Sequence, residues 1–400
     1  MNLPYFISKK ISEPKSGSFT ATIHKVAIAS VGIGLSVMLI AFFILLGFQN
    51  TIKDKIYDFA GHLQITRYVI GNSMNEKPVS LDTTLVGGDI KNVVPYGFKY
   101  GLLQNEEGVE GVVFKGVEAN FDSVSFSQYI EEGSFIRFDT TGYSTDIVIS
   151  RTEADRMRLS VGDDIIMHYI QQPPRSRKLQ IVGIYSTGME EFDEKLILGD
   201  LDLVRRLNNW PDTVAGGYEI VLHDADKTDQ VYRALFDGLG YDLFVQKSRD
   251  KYIQVFEWLS LIDNNVNILL FMVLFVASFN MISIVLILIL ERTNMIGTLK
   301  ALGASDRLVR SIFVHSGMRL IAKGLIIGNV LGLSLSFIQY KFNLIPLDPA
   351  NYYMSFVPIQ FDFVVIILLN ILVFLLVTLI LMIPTVFITR IKPIKAIRFS

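Results

Sequence analysis

The sequence predicts a membrane protein with four transmembrane α-helices and a large α/β extracytoplasmic (periplasmic) domain between the first and the second. Half of the 400 residues are hydrophobic, and the mean hydropathy is +0.41. Such a chain is too apolar for a pair of soluble domains and too polar to lie wholly within a bilayer. Long uncharged stretches provide the helices, and one long acidic stretch provides the outer domain.

The uncharged stretches define the membrane helices. Crossing about 30 Å of hydrocarbon takes roughly 20 apolar residues. Residues 26–48, 264–290 and 363–389 exceed that length without a charge and are predicted to be the first, second and fourth helices. Residues 324–340 provide 17 uncharged residues, so the third helix must begin earlier, and its predicted range is 312–340.

The distribution of charge gives the orientation in the membrane. Residues 1–25, 291–311 and 390–400 are basic, and basic segments stay on the cytoplasmic side. Residues 49–263 hold 34 acidic against 22 basic residues, a net charge of −12. They are therefore predicted to form the periplasmic core domain, with 341–362 as a second outer loop.

The first helix is predicted to be retained and not cleaved as a signal peptide. Its apolar stretch is longer than the usual core of about 7–15 residues, and no small-residue cleavage pattern follows it. The chain has no cysteine, so packing alone holds the outer domain. Neither a disulfide nor a thiolate metal site can form.

The outer domain alternates strand and helix patterns. Segments rich in β-branched or aromatic residues and bounded by turn formers predict strands. These segments are 62–67, 109–117, 146–150, 164–169, 178–185 and 217–222. Helices are predicted at 152–159 and 227–239.

A proline-rich turn, residues 171–177, separates two of these strands. Pro173 and Pro174 stiffen the backbone and remove hydrogen-bond donors, and Arg175 and Arg177 follow them. The pattern predicts a stiff basic tip that projects into solvent. An ordinary exposed hairpin would show the same pattern, and both interpretations stay open.

Small and aromatic residues mark two features of the membrane helices. Gly324, Gly328 and Gly332 form a small-residue ridge, which predicts tight contact with a neighbouring helix and implies a dimer. At the outer end of the first helix, bulky side chains either line a lipid-facing opening or pack between helices. They are Phe42, Phe43, Leu46 and Phe48.

A polar stretch, residues 291–305, joins the second and third helices and is called the elbow below. Met295, Leu299 and Leu302 recur at helical spacing beside Ile296. They predict a short helix whose apolar stripe docks on a partner protein. Charged residues flank the stripe, namely Glu291, Arg292 and Lys300.

The elbow also carries a stop signal and a start signal. Gly303 is predicted to end the short helix in the left-handed conformation. Ser305 is predicted to cap the next helix. The elbow should therefore be rigid.

The chain shows no catalytic motif. No Gly-Lys dipeptide occurs, so a phosphate-binding loop for ATP is absent from the sequence. The five histidines are scattered singly. The sequence predicts no intrinsic enzyme, no cofactor, no metal site and no nucleic-acid binding.

Two stretches resemble the LolC/LolE lipoprotein-releasing permeases of the FtsX/MacB-like superfamily. The first helix and exit strand carry Gly-Ile-Gly-Leu at 32–35, Gly-Phe-Gln at 47–49 and Phe-Ala-Gly-His-Leu-Gln-Ile-Thr at 59–66. The elbow carries Glu-Arg and then Leu-Lys-Ala-Leu-Gly-Ala at 299–304. In that superfamily this stretch is the coupling helix seated on an ATPase. Met295 stands where the family usually has an acid.

The resemblance implies the permease subunit of an ABC transporter in the bacterial inner membrane. Such a subunit would pass lipoprotein cargo to a periplasmic carrier by mechanotransmission. Its partners would be a cytoplasmic ABC ATPase dimer and a second permease chain, itself or a paralogue. Residues 171–177 would match the hook that recruits the carrier. A MacB-like efflux permease and an FtsX-like regulator of a cell-wall hydrolase remain as alternatives.

Overall fold

The computed structural model describes residues 19–68, 76–81, 88–139 and 142–390. They fall into two compact units. The helical unit comprises the described parts of 1–49, 259–345 and 357–400, and the α/β unit comprises those of 50–258 and 346–356. Most of the predicted cytoplasmic N-terminal segment, and the tail after residue 390, lie outside the described residues.

Helices and strands follow one another in chain order within these ranges. The helices are α1 Phe19–Ala60, α2 Ser123–Phe126, α3 Arg151–Met157, α4 Glu190–Asp193, α5 Leu201–Asn208, α6 Thr228–Gly238, α7 Ser248–Lys251, α8 Ile253–Glu291, α9 Thr293–Ala301, α10 Asp306–Phe342, α11 Pro349–Tyr352 and α12 Phe363–Thr385. The strands are β1 Leu63–Arg67, β2 Ile90–Gln104, β3 Val109–Val117, β4 Ile130–Gly133, β5 Asp146–Ser150, β6 Asp164–Tyr169, β7 Arg175–Tyr185, β8 Leu196–Asp200, β9 Gly217–Leu222 and β10 Leu243–Lys247.

Four helices of the described chain are long and apolar enough to cross a membrane, namely α1, α8, α10 and α12. The predicted four-helix architecture is therefore confirmed. The first three helices extend beyond the predicted spans, because hydropathy marks the apolar part of a helix, whereas polar residues can continue it into water. The last helix ends early, at Thr385, one residue after Pro384, and a 3₁₀ turn covers Val386–Arg390.

The glycine ridge of α10 lies against α1. A Cβ atom on Gly328 would come within 2.6 Å of the Gly32 carbonyl oxygen, and one on Gly324 within 2.8 Å of the Val31 Cβ. Only glycine permits this approach of the two backbones. The predicted tight contact with a neighbouring helix is therefore present, and it lies within one chain, so it does not test the expected dimer.

Asparagine side chains link the membrane helices. Asn280 of α8 donates a hydrogen bond to the Ser30 hydroxyl of α1 over 2.9 Å. Asn329 of α10 and Asn370 of α12 exchange hydrogen bonds of 2.7 and 3.0 Å. These bonds fix the relative rotation of the helices, because in a bilayer few other partners are available.

The bulky residues at the outer end of α1 are not all directed outward. Phe43 has no exposed surface, and its ring centroid lies 5.1 Å from that of Phe361. Phe48 is also buried. The chain before α12 covers this end of α1, since the Gln360 amide donates to the Phe43 carbonyl oxygen. The expected lipid-facing opening is therefore wrong for Phe43 and Phe48.

The α/β unit is built on one mixed sheet. Its strand order is β10-β1-β9-β2-β3-β8-β5-β7-β4, and β6 pairs with both β2 and β7. Most neighbours are antiparallel, whereas β3 with β8 and β5 with β7 are parallel. Apolar side chains of the strands and of α3, α5 and α6 form its core. All six predicted strands are present, and both predicted helices correspond to α3 and α6.

The connection between α10 and α12 returns to the α/β unit through residues 346–356. The Lys55 ammonium of α1 donates to the Tyr353 carbonyl oxygen over 2.7 Å and also to the Thr187 carbonyl oxygen. The rings of Tyr353 and Trp258 meet edge to face. Residues distant in the sequence thus hold this short segment in place.

Candidate functional site

The elbow is a closed turn between two long helices. Helix α9 ends at Ala301, and Gly303 follows its cap at φ +91°. The amides of Gly303 and Ala304 donate to the carbonyl oxygens of Lys300 and Leu299. These two bonds form a Schellman motif, which satisfies the last carbonyls of the helix. The Ser305 hydroxyl then accepts from the Leu308 amide and caps α10. The predicted helix end at Gly303 and the predicted helix cap at Ser305 are both present.

One side of helix α9 packs against the core of the helical unit to which it belongs. Ile296 has no exposed surface, and Met295 and Leu299 lie partly buried against the same core. The Lys300 ammonium donates to the Ile388 carbonyl oxygen and pairs with Asp306, each over about 2.7–2.8 Å. The expected exposed stripe is therefore wrong for two of its three members.

A different face of the elbow is open. Leu302 is 81% exposed, the highest value among the large apolar residues of the elbow. Glu291, Asn294, Thr298 and Ala301 are exposed as well. The spacing of Asn294, Thr298, Ala301 and Leu302 places these four on one side of α9 and its C-terminal cap. We call them the elbow face. Sequence reasoning missed Asn294 and Thr298, because periodicity alone did not decide which side meets the core.

The hairpin of β6 and β7 turns its arginines inward. Tyr169 pairs with Arg175 in the antiparallel register. Because side chains alternate along a strand, Arg175 and Arg177 share the covered face with the buried Leu179 and Ile181. The expected projecting basic tip is therefore wrong for the arginines. In the sequence, Leu179 and Ile181 already indicated which face of this strand is buried.

Arg175 has a structural role. Its Nη1 donates to the carbonyl oxygens of Arg206 and Leu207 over 3.0 and 3.1 Å, and its Nη2 donates to the Asn209 side chain. These groups are at the C-terminal end of α5, where a cation is favourable. The exposed tip consists of Gln172, Pro173, Pro174 and Ser176.

An open groove of about 750 Å³ borders the hairpin. Residues 169–175, Lys99 of β2 and residues 207–209 line it. Lys99 is 6% exposed and Tyr169 is 3% exposed. Burial raises the pKa of Tyr169 and lowers that of Lys99, since both charged forms would lose hydration. Tyr169 is therefore a neutral phenol.

A buried charge network joins β3, β9 and β1 of the α/β unit to α7. The Lys115 ammonium binds both carboxylate oxygens of Glu219, over 2.7 and 2.9 Å, and also donates to the Phe59 carbonyl oxygen. Gln64 bridges from Glu219 to Lys251. Sequence reasoning missed this network, although a lysine within an apolar strand was a visible signal. No cluster of three metal-binding side chains occurs in the ranges that the structure describes.

The architecture defines a multi-pass inner-membrane protein with a periplasmic α/β domain. Residues 26–235 match the MacB-like periplasmic core domain, and residues 267–393 match the C-terminal part of FtsX-like permeases. The first match covers more than half of the chain, which therefore belongs to the family with a MacB-like periplasmic core domain. Together the two matches make it a permease subunit of the ABC transporter type.

Relatives of similar length exist. The lipoprotein-releasing system transmembrane protein LolC of Xylella fastidiosa (strain 9a5c) is 22% identical over 96% of both chains. LolE of Haemophilus influenzae is 23% identical over 84% of this chain and 83% of the relative. LolC of Neisseria meningitidis serogroup B is 22% identical over 87% of each.

The solved structures of two outer domains show lower sequence identity to this chain. The periplasmic region of MacB from Actinobacillus actinomycetemcomitans is 13% identical, covers 51% of this chain and 98% of its own, and gives a TM-score of 0.35. The extracellular domain of the ABC-type transporter YknZ is 14% identical, covers 46% and 99%, and gives a TM-score of 0.33.

Proposed function

We propose that this chain is the permease of a transporter that releases lipoproteins from the inner membrane to a periplasmic carrier. The observation that supports it most is the alignment with LolC over 96% of both chains, which includes the membrane helices and the outer domain. That relative is named for lipoprotein release. An efflux permease or a hydrolase regulator would share the two family matches but would not need this end-to-end similarity.

Mechanical coupling would start at the elbow. A separate ATPase would bind the elbow face, and its closure on ATP would push on α9. Ile296 and Lys300 fix α9 to the rest of the helical unit. Such a push would therefore move α8 and α10 together. Helix α8 starts directly after β10 and α7, so its movement would reach the outer domain along the chain.

The carrier would meet the tip of the hairpin. In this proposal Pro173 and Pro174 make the contact, while Arg175 holds the hairpin against α5 from below. Among the bulky residues of α1, Phe42 and Leu46 keep exposed surface and remain candidates for contact with cargo. A second permease chain, identical or paralogous, would complete the transporter.

Reconstituted release tests the proposal. The chain is purified with its ATPase subunit, placed in liposomes with a labelled lipoprotein, and given ATP and a soluble carrier. Transfer of the lipoprotein to the carrier should require both ATP and carrier. Transfer of a small-molecule substrate across the bilayer, without lipoprotein transfer, would instead indicate an efflux permease.

A further inference from the structure

Residues 346–356 belong to the α/β unit, although they join two helices of the helical unit, α10 and α12. We call them the clasp. Pro346 and Phe356 form a bridge at its base, and the Leu347 amide donates to the Ser355 carbonyl oxygen over 2.8 Å. The short helix α11 lies between these ends. The clasp is therefore a closed loop and not a slack connection.

Tyr353 is the residue through which the clasp is held. Its carbonyl oxygen accepts a hydrogen bond of 2.7 Å from the Lys55 ammonium, and its ring meets that of Trp258 edge to face. Its φ is +60°, in the left-handed region. A bulky residue rarely adopts this conformation, which persists where the surrounding contacts over-determine it. The contacts with Lys55 and Trp258 thus hold the backbone of Tyr353 against its own preference.

The loop that receives Tyr353 is itself fixed. The Asp193 carboxylate accepts hydrogen bonds from the amides of Thr187 and Gly188 and from the Thr187 hydroxyl, over 2.7–3.0 Å. The Thr187 carbonyl oxygen is the second acceptor of the Lys55 ammonium. A Cβ atom on Gly188 would lie 3.3 Å from the carbonyl carbon and oxygen of Tyr353. Lys55 therefore joins two backbone segments that are already in close contact.

Helix α10 links the elbow to the clasp along the chain. It begins at Asp306, directly after the elbow, and its 37 residues correspond to about 55 Å of α-helix. Three residues, 343–345, separate its end at Phe342 from the clasp. Rigid secondary elements carry coupling between distant sites. A displacement at the elbow therefore reaches the clasp across only three residues that are not helical.

We propose that the clasp transmits movement of α10 to the outer domain, and that Lys55 is the positioning residue that keeps the clasp attached. This inference rests on the proposed function, because it assumes that an ATPase moves the elbow. Helix α8 provides one path to the outer domain, along the chain. The clasp adds a second path, through non-covalent contacts, and it stays closed throughout the transport cycle.

Hydrogen exchange of the full-length chain in detergent tests the attachment. Lys55→Met keeps the aliphatic stem but removes both hydrogen bonds, so amide exchange across residues 346–356 should rise about five- to thirtyfold. Lys55→Arg keeps a charged donor and should restore part of the protection. The control is Lys227→Met, at an exposed ion pair with Asp89 in the same unit, which should leave this exchange unchanged. This measurement needs no ATP, carrier or cargo.

Reconstituted release tests the transmission. Lys55→Met should hydrolyse ATP at the parent rate but lose most of its lipoprotein release per ATP, because the push no longer reaches the outer domain through the clasp. Lys55→Arg should recover part of this ratio, and Lys227→Met should release as the parent chain does. The unchanged rate of ATP hydrolysis separates lost transmission from lost assembly with the ATPase.

An engineered disulfide replaces the Lys55 contact by a covalent one. A Cβ atom on Gly188 would lie 3.4 Å from the Pro349 Cβ, close to the separation of about 3.5–4.5 Å found in disulfides. The chain has no native cysteine, so Gly188→Cys with Pro349→Cys has no competing thiol within it. Added to Lys55→Met, this pair should restore release per ATP when oxidised and not when reduced. Oxidised Lys55→Met without the added cysteines is the control for the oxidant.

Three outcomes would overturn the proposal. They are unchanged exchange of residues 346–356 in Lys55→Met, unchanged release per ATP in that variant despite faster exchange, and no gain on oxidation of a cysteine pair that is active when Lys55 is present. A parent chain that moves a small molecule and no lipoprotein would end the proposed function but not this inference. Substrate moved per ATP would then replace lipoprotein release in the same comparison.

Discussion

The Lys115 ammonium lies 2.7 Å from the Glu219 carboxylate, with both side chains only 2–3% exposed. This pair lies at the C-terminal end of α1, because Lys115 also donates to the Phe59 carbonyl oxygen. Gln64 extends this network to Lys251, which lies four residues after the end of β10. The network therefore connects the chain segments that enter and leave the outer domain.

Lys115→Met should destabilise the α/β unit by about 3 kcal/mol, because it leaves the Glu219 charge buried without its partner. Both tryptophans, Trp210 and Trp258, belong to this unit, so tryptophan fluorescence during thermal unfolding of the purified chain reports on it. Replacing Glu219 with Leu in the same chain should restore much of the loss. Lys227→Met, at an exposed ion pair with Asp89, is the control and should leave the Tm unchanged. Equal effects of the two lysine variants would contradict the prediction.

Glu153 should make stability depend on pH. It has no exposed surface, and its Oε2 atom has no hydrogen-bond partner in the described chain. Burial raises the pKa of its carboxyl from 4.5 to about 7, although Arg156 opposes this. The folded state thus holds the proton more tightly than the unfolded state. That contribution is complete below pH 4.5 and is lost as pH rises through 7.

Glu153→Gln removes this titration. Relative to the parent chain, the variant should gain on the order of 2 kcal/mol at pH 8 and little at pH 4.5. Melting temperatures of both chains at the two pH values measure the difference. Glu106→Gln, at an exposed position in the turn before β3, should show no such trend. A gain that is the same at both pH values would show that Glu153 does not titrate in this window.

Leu302→Asp and Thr298→Asp should weaken attachment of the ATPase subunit. Both positions are exposed, so the chain itself should fold normally. Full burial of one leucine is worth about 1.5–3 kcal/mol, so Leu302→Asp should weaken docking at least about tenfold. The measurements are recovery of the ATPase on purification and lipoproteins released per ATP. Leu302→Met is the isosteric control. Unchanged recovery with both aspartate variants would exclude the elbow face as the docking surface.

Gly303 tests whether the angle of the elbow matters apart from docking. Nothing lies within 4 Å of a Cβ built there, so only its φ of +91° opposes a side chain. Gly303→Val should cost about 1–2 kcal/mol and redirect α10. Gly303→Asn should be tolerated, because asparagine adopts positive φ more readily. Lipoprotein release per ATP should fall with valine and not with asparagine.

Pro173→Ser combined with Pro174→Ser should reduce capture of the carrier without changing the Tm, since both prolines are exposed. Arg175→Glu should instead lower the Tm, because it places a carboxylate beside the C-terminal carbonyls of α5. Carrier pull-down and thermal unfolding separate the two effects. If the proline variant captures carrier normally, the hairpin is not the contact.

Local chemistry was readable from the sequence, and non-local contacts were not. The stop at Gly303 and the cap at Ser305 depend on neighbouring residues, and both were predicted correctly. The side of α9 that is buried depends on contacts with distant residues such as Ile388. Strand β2 was missed although it has 15 residues, because Pro95 and its glycines resemble strand breakers.

The hydrogen bond between Lys55 and Tyr353 determines which residues a separate fragment of the outer domain must contain. A fragment limited to residues 50–258 would omit the segment that packs on Gly188, where a Cβ would already lie 3.3 Å from Tyr353. The Lys55 amine would lose one of its two carbonyl acceptors, and Trp258 would lose its edge-to-face neighbour. A fragment that also carries residues 346–356 on a flexible linker would keep these groups covered.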